Sequence, residues 1–303
     1  MRVLTTMPSI KSILVNGASG QLGQSFQKLV VNYPQYDFVF ADRACLDLLD
    51  DSSIETYFQQ NLFDLVINCA AYTAVDKAEE EQALADTVNH LAVQKLASIA
   101  AKQQAKFIHI STDYVFNGEQ FRPYIETDKV DPKSVYGATK LAGEQAVFNT
   151  MPVDALIIRT SWVYSPFGNN FVKTMLKLGE QRDALTVVFD QLGSPTYAPD
   201  LAEAIMQIVT NESFNQPSIA TQLYHYSNEG VCSWYDFSKT IFELSEISCE
   251  VSPIETKDYP TAATRPHYSL LNKAKIKQQF ALKIPYWKDS LVRCLASLKE
   301  KEE

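Results

Sequence analysis

The stretch that decides the fold is "ILVNGASGQLGQS", residues 13–25, in which a short apolar run ends in three glycines and leads into a helical pattern. The spacing puts these glycines between a predicted strand and a predicted helix, where backbone N–H groups and the helix dipole attract phosphate. Gly17 can form the tight turn, Gly20 lets the backbone approach a phosphate, and Gly23 allows close helix–strand packing. The context favours a dinucleotide site over a purely structural turn.

The chain around this stretch alternates between short β-rich runs and helical patterns. Strands are predicted at residues 12–16, 36–42, 64–71, 106–112, 154–162 and 221–227. Such alternation predicts parallel strands with helices on both faces, joined by right-handed crossovers. We expect an α/β fold, a doubly wound parallel (Rossmann) sheet with a smaller interleaved α/β cap. The predicted domains are residues 1–160 with 195–227 for the dinucleotide, and 161–194 with 228–303 for the cap.

Composition narrows the class of protein. The 303 residues hold 27 Lys and Arg against 36 Asp and Glu, a net charge of −9 with no basic stripe. This balance argues against nucleic-acid binding and against adhesion to anionic membranes. No apolar run reaches the roughly 18 residues of a membrane helix, and the first twelve residues carry no targeting signal. The spacing of five cysteines and four histidines predicts reduced thiols in a cytoplasmic protein and no metal site.

Asp42 and Arg43 leave the cofactor open. Asp42 follows Gly23 by about 20 residues, at the end of the second predicted strand, where a carboxylate bonds the adenosine ribose hydroxyls. A carboxylate repels a 2′-phosphate and so favours NAD, whereas the adjacent Arg43 is able to hold that phosphate. The sequence therefore predicts either NADH or NADPH.

Two Tyr-x-x-x-Lys pairs occur, and their positions separate them. Tyr136 and Lys140 lie on the helix after the fourth strand, and i, i+4 residues share a helix face. A nearby ammonium and a nicotinamide cation both favour tyrosinate, so we expect the Tyr136 pKa to be lowered by about 3 units. Tyr235 and Lys239 lie in the second half, and we expect a packed tyrosine and a solvated lysine there.

A strand-end hydroxyl completes the predicted catalytic set. Thr112 ends the fourth strand, 24 residues before Tyr136, and ligands of doubly wound sheets bind at the carboxyl ends of the strands. Its hydroxyl is suited to donate a hydrogen bond to a substrate oxygen as negative charge develops there. Ser111 is the competitor, because strand alternation points only one of the two into a cleft.

These features together resemble the dTDP-4-dehydrorhamnose reductase family, in the extended branch of the short-chain dehydrogenase/reductase superfamily. The matching segments run through most of the chain. They are "NGASGQLGQ", "DLVINCAAYTAVDKAE", "ISTDYVFNG", "PYIETD", "VYGATKLAGEQAV", "IIRTSWVYSPFGNNFVKTM", "GSPTYAPDLAEAI", "CSWYDFS" and "TRPHYSLL". The resemblance implies NAD(P)H-dependent reduction of the C4 ketone of dTDP-4-dehydro-L-rhamnose to dTDP-L-rhamnose, for cell-surface polysaccharide synthesis.

The resemblance also implies roles for individual residues. The catalytic set is Thr112, Tyr136 and Lys140. The cofactor would be bound by Gly17, Gly20, Gln21, Leu22, Asp42, Arg43, Asp47, Leu48, Ala70, Ala71, Tyr72 and Lys140. The dTDP-sugar would be bound by Thr73, Val75, Tyr114, Trp162 and Arg265. Trp162 has an equally good alternative role as a large apolar residue that closes the fifth strand. Arg265 would bind the substrate diphosphate by a bidentate contact, and a role at the protein surface is nearly as well supported.

Some residues differ from the family pattern, and other functions remain possible for such a chain. Many family members carry a Glu where this chain has Ser25, and in some it joins a magnesium-linked dimer, so we predict no metal and either a monomer or a homodimer. His90 stands where a small residue is commoner. A sugar-nucleotide dehydratase of this branch carries Asp-Glu after the strand-end Thr, whereas here Asp113 and Tyr114 follow. An epimerase and a non-catalytic cofactor-binding regulatory subunit remain alternatives.

Overall fold

The computed structural model describes residues 10–300. Residues 1–9, for which the sequence predicts no targeting signal, lie outside the described range. The first half of the chain holds strands β1 (Ser12–Asn16), β2 (Asp37–Ala41), β3 (Leu65–Asn68), β4 (Lys106–Thr112) and β5 (Ala155–Thr160). The helices between them are α1 (Gln21–Leu29), α2 (Asp51–Gln60), α3 (Val75–Ala78), α4 (Gln82–Asp86), α5 (Ala92–Gln103) and α6 (Val135–Thr150).

The second half alternates less regularly. Its strands are β6 (Val163–Tyr164), β7 (Ala184–Val188), β8 (Leu192–Gly193), β9 (Thr196–Tyr197), β10 (Gln222–His225), β11 (Cys232–Ser233) and β12 (Glu250–Ile254). Its helices are α7 (Phe171–Gln181), α8 (Ala198–Val209), α9 (Trp234–Ser245), α10 (Ala274–Phe280) and α11 (Trp287–Lys299). Ser233 and Asp236 form a capping box at the start of α9.

Six parallel strands form the main sheet, in the order β2-β1-β3-β4-β5-β10. The chain leaves β1 toward β2 on one side and later returns to β3 on the other. The strand order therefore reverses between β1 and β3, which is the place where doubly wound sheets bind ligands. The predicted fold class and the sixth strand, β10, are confirmed.

Both faces of this sheet are covered, which explains its nearly continuous apolar strands. Ile13 and Val15 of β1 face a core that contains Phe26 of α1 and Ile205 of α8. Leu14, between them, faces a second core against α2, α5 and α6. Successive β1 residues thus anchor opposite helical layers, and this fixes the register of the strand that leads into the glycines.

A smaller unit packs around the parallel pair β7–β12 and the helices α7, α9 and α11. Its core includes Tyr164, Phe237, Trp287 and Leu291. Helix α10 lies within the range predicted for this unit, but Ile276 and Phe280 pack in the core of the main sheet. The division of the chain into domains remains a prediction, and α10 shows that the two halves share structure.

The helical region between β3 and β4 is interrupted. Between α4 and α5, residues Thr87–Leu91 form a π-helical turn, a bulge that often re-aims side chains. It turns Asn89 inward, where it is fully buried. It also places His90 beside Asp86 on the preceding turn, with 3.0 Å between ring nitrogen and carboxylate. His90 thus belongs to a partly exposed i, i+4 pair.

A buried ion pair ties α6 to β5. The Arg159 guanidinium donates to both carboxylate oxygens of Glu144, at 2.8 and 2.6 Å, and both side chains are almost fully buried. Ser111 also donates to Glu144, at 2.5 Å. Removing one partner of such a pair leaves a buried charge without compensation.

We predict that Glu144→Gln lowers the free energy of unfolding by about 3 kcal/mol or more, because it leaves the Arg159 charge buried and unpaired. Urea unfolding followed by circular dichroism measures this. Glu255→Gln is the control, because Glu255 pairs with Lys257 at the exposed surface and such pairs contribute little. Equal unfolding midpoints for the two variants would contradict the prediction.

Candidate active site

A cleft of about 1450 Å³ lies at the carboxyl ends of the main strands and reaches the smaller unit. It is lined by most of the residues predicted from the sequence. These are Gly17, Gly20, Gln21, Leu22, Arg43, Asp47, Leu48, Ala70, Ala71, Tyr72, Thr73, Val75, Thr112, Tyr114, Tyr136, Lys140, Trp162 and Arg265. The structure thus brings residues from distant parts of the chain to one surface.

The glycine loop lies at the point where the strand order reverses. Gly17 has a φ of +78°, and a Cβ added there would lie 2.6 Å from the backbone nitrogen of Ala70. Gly20 has an extended backbone and precedes α1, whose first N–H groups lie at the cleft. The loop has the shape and the donors of a cradle for a dinucleotide diphosphate.

Asp42 was predicted to bind the cofactor, but it is not among the described residues that line the cleft. Its carboxylate accepts the N–H groups of Ala44 and Cys45, at 3.0 and 3.2 Å, and so closes its own turn. Arg43 does line the cleft, with its side chain 74% exposed and 3.5 Å from Asp47. A cation therefore lies at the end of the cleft where the sequence placed two opposed charges.

The hydroxyls of Thr112 and Ser111 have different hydrogen-bond partners. Ser111 is held by Glu144 and is committed to the buried ion pair. Thr112 donates to Asp113 Oδ1 at 2.9 Å and accepts the N–H of Tyr114 at 3.2 Å. Burial raises the pKa of Asp113 to about 7 against opposing hydrogen bonds from Thr112 and other groups. Both residues line the cleft, but the Ser111 hydroxyl is already bonded to Glu144, so Thr112 is the better candidate to contact a ligand, with a titratable neighbour.

Tyr136 stands beside Thr112 and packs edge-on against Tyr114, with ring centroids 5.6 Å apart. Burial raises the pKa of the Tyr136 hydroxyl to about 12, the nearby Thr112 opposes this shift, and Asp113 adds to it. The expected lowering of its pKa is therefore wrong for the chain's own residues. The Tyr136 hydroxyl therefore keeps its proton at neutral pH.

Lys140 is 1% exposed, one helical turn after Tyr136. Its ammonium group donates to the backbone oxygen of Ile110 at 2.6 Å and lies 3.4 Å from His109 Nε2. Burial lowers the pKa of Lys140 to about 8, against the opposing influence of Glu144 and Cys69. This lysine therefore changes charge in the mildly alkaline range.

Two aromatic side chains and an arginine form the far side of the cleft. Trp162 stacks on Trp234 with ring centroids 3.5 Å apart, and its backbone φ is +48°. Arg265 donates to both oxygens of Asp76, at 3.1 and 2.8 Å, and these bonds hold the pKa of Asp76 below its ordinary value. Arg265 thus enters the cleft as half of an ion pair.

Sequence reasoning missed several polar residues that position the site. Asn16, Asn68 and His109 are buried side by side on β1, β3 and β4. Asn89 accepts the Tyr72 N–H at 2.9 Å and donates to the Tyr72 carbonyl at 3.1 Å, which fixes the loop after β3. A polar residue within an otherwise apolar strand was the available signal. The second Tyr-x-x-x-Lys pair, Tyr235 and Lys239, lies on α9 outside the described lining of the cleft.

Within residues 10–300, no group of three or more His, Cys, Asp or Glu side chains is arranged to hold a metal ion. Among the helices of the same range, none combines the length and apolar character needed to cross a membrane.

Comparison with known proteins identifies relatives across almost the whole chain. The model of the family described as "RmlD substrate binding domain" matches residues 11–300. The dTDP-4-dehydrorhamnose reductase of Aggregatibacter actinomycetemcomitans is 40% identical over 285 residues, which cover 92% of this chain and 96% of that protein.

Solved structures agree. The dTDP-4-dehydrorhamnose reductase of Clostridium acetobutylicum superposes with a TM-score of 0.89 at 39% identity, covering 95% of this chain and 99% of that one. The Bacillus anthracis dTDP-4-dehydrorhamnose reductase, solved in complex with NADP, also has a TM-score of 0.89, at 37% identity and the same coverage.

The glycine loop yields a prediction about two neighbouring substitutions. Gly17→Ala should lower the free energy of unfolding by more than about 2 kcal/mol, because it combines a positive φ with overlap against Ala70. Gly20→Ala should lower it by about 1 kcal/mol or less, since its Cβ meets only the Gly17 carbonyl, at 3.2 Å. Gly20→Ala should still weaken dinucleotide binding, measured by calorimetry. Similar stabilities for both variants would contradict this account.

Proposed function

The chain belongs to the RmlD substrate binding domain family, and we propose that it is an NAD(P)H-dependent dTDP-4-dehydrorhamnose reductase. It would reduce the C4 ketone of dTDP-4-dehydro-L-rhamnose to give dTDP-L-rhamnose. The observation that carries the proposal is the meeting of Thr112, Tyr136 and Lys140 in one cleft beside the glycine loop. Relatives of about 40% identity that bear the reductase name support it.

The cofactor fits the residues present. Gly17 and Gly20 leave the space that a diphosphate needs, and a Cβ at either position would meet backbone. Arg43 and Asp47 lie at the adenosine end, and Ala70, Ala71 and Tyr72 form the opposite wall. The cofactor, when bound, supplies the hydride for C4. The exposed Arg43 suits the 2′-phosphate of NADPH, while NADH lacks the group that would need it.

The chain's own residues handle the proton. The Thr112 hydroxyl donates a hydrogen bond to the ketone oxygen and stabilises the negative charge that develops there. Tyr136 transfers its phenolic proton to that oxygen. Lys140, as an ammonium, would stabilise the resulting tyrosinate and would hold the nicotinamide ribose of the bound cofactor. The smaller unit covers the far side of the cleft and excludes water.

The dTDP-sugar is proposed to contact residues that line the same cleft. Arg265 contacts the diphosphate of dTDP, with Asp76 holding the guanidinium in place. Arg182, at the end of α7, also lines the cleft and is a second candidate for that role. Thr73, Val75, Tyr114 and Trp162 contact the sugar. The enzyme is proposed to act in the cytoplasm as a monomer or homodimer.

Two rival functions are separable by experiment. An epimerase returns its hydride internally, so conversion of the dTDP-sugar without loss of absorbance at 340 nm would favour it over the reductase. A non-catalytic regulatory subunit would bind NAD(P)H without turnover. The orderly placement of Thr112, Tyr136 and Lys140 favours catalysis.

We predict that Tyr136→Phe lowers the turnover number by about a hundredfold or more, because the proton donor is removed. Binding of NADPH, followed by fluorescence titration, should change little. Tyr235→Phe is the matched control, from the second Tyr-x-x-x-Lys pair, and should retain wild-type turnover. Unchanged turnover in Tyr136→Phe would remove it as the proton donor.

We also predict that kcat/KM for the sugar falls as the pH rises from about 7 to about 9. The protonated forms of both Asp113, with a pKa of about 7, and Lys140, with a pKa of about 8, are the active ones. Protonated Asp113 donates a hydrogen bond to the Thr112 oxygen, which leaves the Thr112 hydroxyl proton available to the ketone. Ionised Asp113 instead accepts the hydrogen bond of the Thr112 hydroxyl. Initial rates at saturating NADPH and constant ionic strength measure the profile, and a rise over this range would contradict it.

A further inference from the structure

A chain of buried side chains, which the proposed mechanism does not use, joins the glycine loop to Lys140. Asn16 Nδ2 donates to Asn68 Oδ1 at 3.1 Å, and Asn68 Nδ2 lies 3.2 Å from His109 Nδ1. His109 Nε2 in turn lies 3.4 Å from Lys140 Nζ. The four side chains are each at most 1% exposed, so solvent does not satisfy any of these groups.

Backbone N–H groups fix the direction of this chain at the loop end. Asn16 Oδ1 accepts the N–H of Gly17 at 2.8 Å, and Asn68 Oδ1 accepts the N–H of Ala70 at 3.2 Å. A flipped Asn68 amide would set its NH2 group against two donors, the Ala70 N–H and Asn16 Nδ2. A backbone N–H is always a donor, so the amide oxygen must face it.

The direction decides the tautomer of His109. Because Asn68 presents an N–H donor, His109 Nδ1 must accept, and the neutral ring then carries its proton on Nε2. The doubly protonated ring would place Nδ1–H against the same donor and is excluded. Nε2–H therefore faces the Lys140 amine. An ammonium offers only donors to that group, whereas a neutral amine offers a lone pair.

We propose that His109 is a positioning residue for Lys140: its Nε2–H donates to the Lys140 amine and favours the neutral amine over the ammonium. The consequence for catalysis rests on the reductase function proposed above, but the tautomer and the charge do not. The cofactor loops would thereby set the protonation of the catalytic lysine through a fixed chain of hydrogen bonds.

Other groups around Lys140 also affect whether it is an ammonium or a neutral amine. Glu144 and Cys69 favour the ammonium, yet burial keeps the pKa of Lys140 at about 8. Glu144 is already bound to Arg159, which reduces its effect. Tyr136 lies on the same helix one turn earlier. Burial, reinforced by Lys140, holds the pKa of His109 well below its ordinary value, so the ring stays neutral.

One nearly isosteric substitution reverses the chain. In Asn68→Asp the group facing His109 becomes an acceptor, while the other oxygen still accepts from Asn16 and Ala70. His109 must then carry its proton on Nδ1, and Nε2 becomes an acceptor for the Lys140 ammonium. A reversed tautomer and a higher Lys140 pKa are expected together.

The first measurement is the tautomer of His109 in the ligand-free protein, by NMR of a ¹⁵N-histidine sample. Variants of His90, His225 and His267 assign the remaining signal. We expect the Nε2–H form with no titration between pH 6 and pH 9, in a measurement that requires no reductase activity. The Nδ1–H form, or a protonated ring in that range, would overturn the proposal.

The second measurement is the titration of the Lys140 side chain, by NMR of ¹³C-lysine protein with Lys140→Met for assignment. The midpoint should lie near pH 8 and rise by about one unit in Asn68→Asp, whose His109 should show the Nδ1–H form. His225→Phe is the control, because His225 is equally buried but bonds Tyr124 instead. An unmoved midpoint with a reversed tautomer would overturn the proposal. If Asn68→Asp fails to fold, the wild-type tautomer decides.

Discussion

The close approach of two backbone segments, after β1 and after β3, is the constraint on which the rest of the structure depends. Glycine at position 17 makes this approach possible, because it has no Cβ to overlap with Ala70 and because it readily adopts the positive φ found there. The approach opens the crevice at which the strand order reverses and directs the first N–H groups of α1 into it. It also brings Asn16 and Asn68 into contact, so the shape of the loop and the buried polar chain have one origin.

The same arrangement determines the environment of the proposed catalytic residues. Thr112 ends β4 and Tyr136 begins α6, and the ion pair of Glu144 with Arg159 ties α6 to the next strand. Ser111 donates to the same Glu144, which leaves Thr112 as the hydroxyl proposed to contact the substrate. Burial then moves the pKa values of two neighbouring groups in opposite directions, because it raises the pKa of Tyr136 and lowers the pKa of Lys140.

Most of the fold was predictable because it rests on local patterns. Strands buried on both faces are continuously apolar, helices carry caps, and glycines mark the tight turn between them. The interruption before α5 was not predictable, because a π-helical turn has no composition of its own. Nor was the packing of α10 on the main sheet, because the apolar side of a short helix does not specify which neighbour covers it.

The sequence by itself determined the α/β class, the place of the dinucleotide loop and the candidates Thr112, Tyr136 and Lys140, because each belongs to a spacing that local geometry enforces. Only the tertiary structure decided the contacts of residues whose partners are far apart in the chain. It turned Asp42 into its own loop and left Arg43 at the cleft. It also joined Asn68, His109 and Lys140 into one chain of hydrogen bonds. The charge of a lysine and the tautomer of a histidine depend on burial and on the direction of neighbouring donors. These surroundings form only when the strands lie side by side.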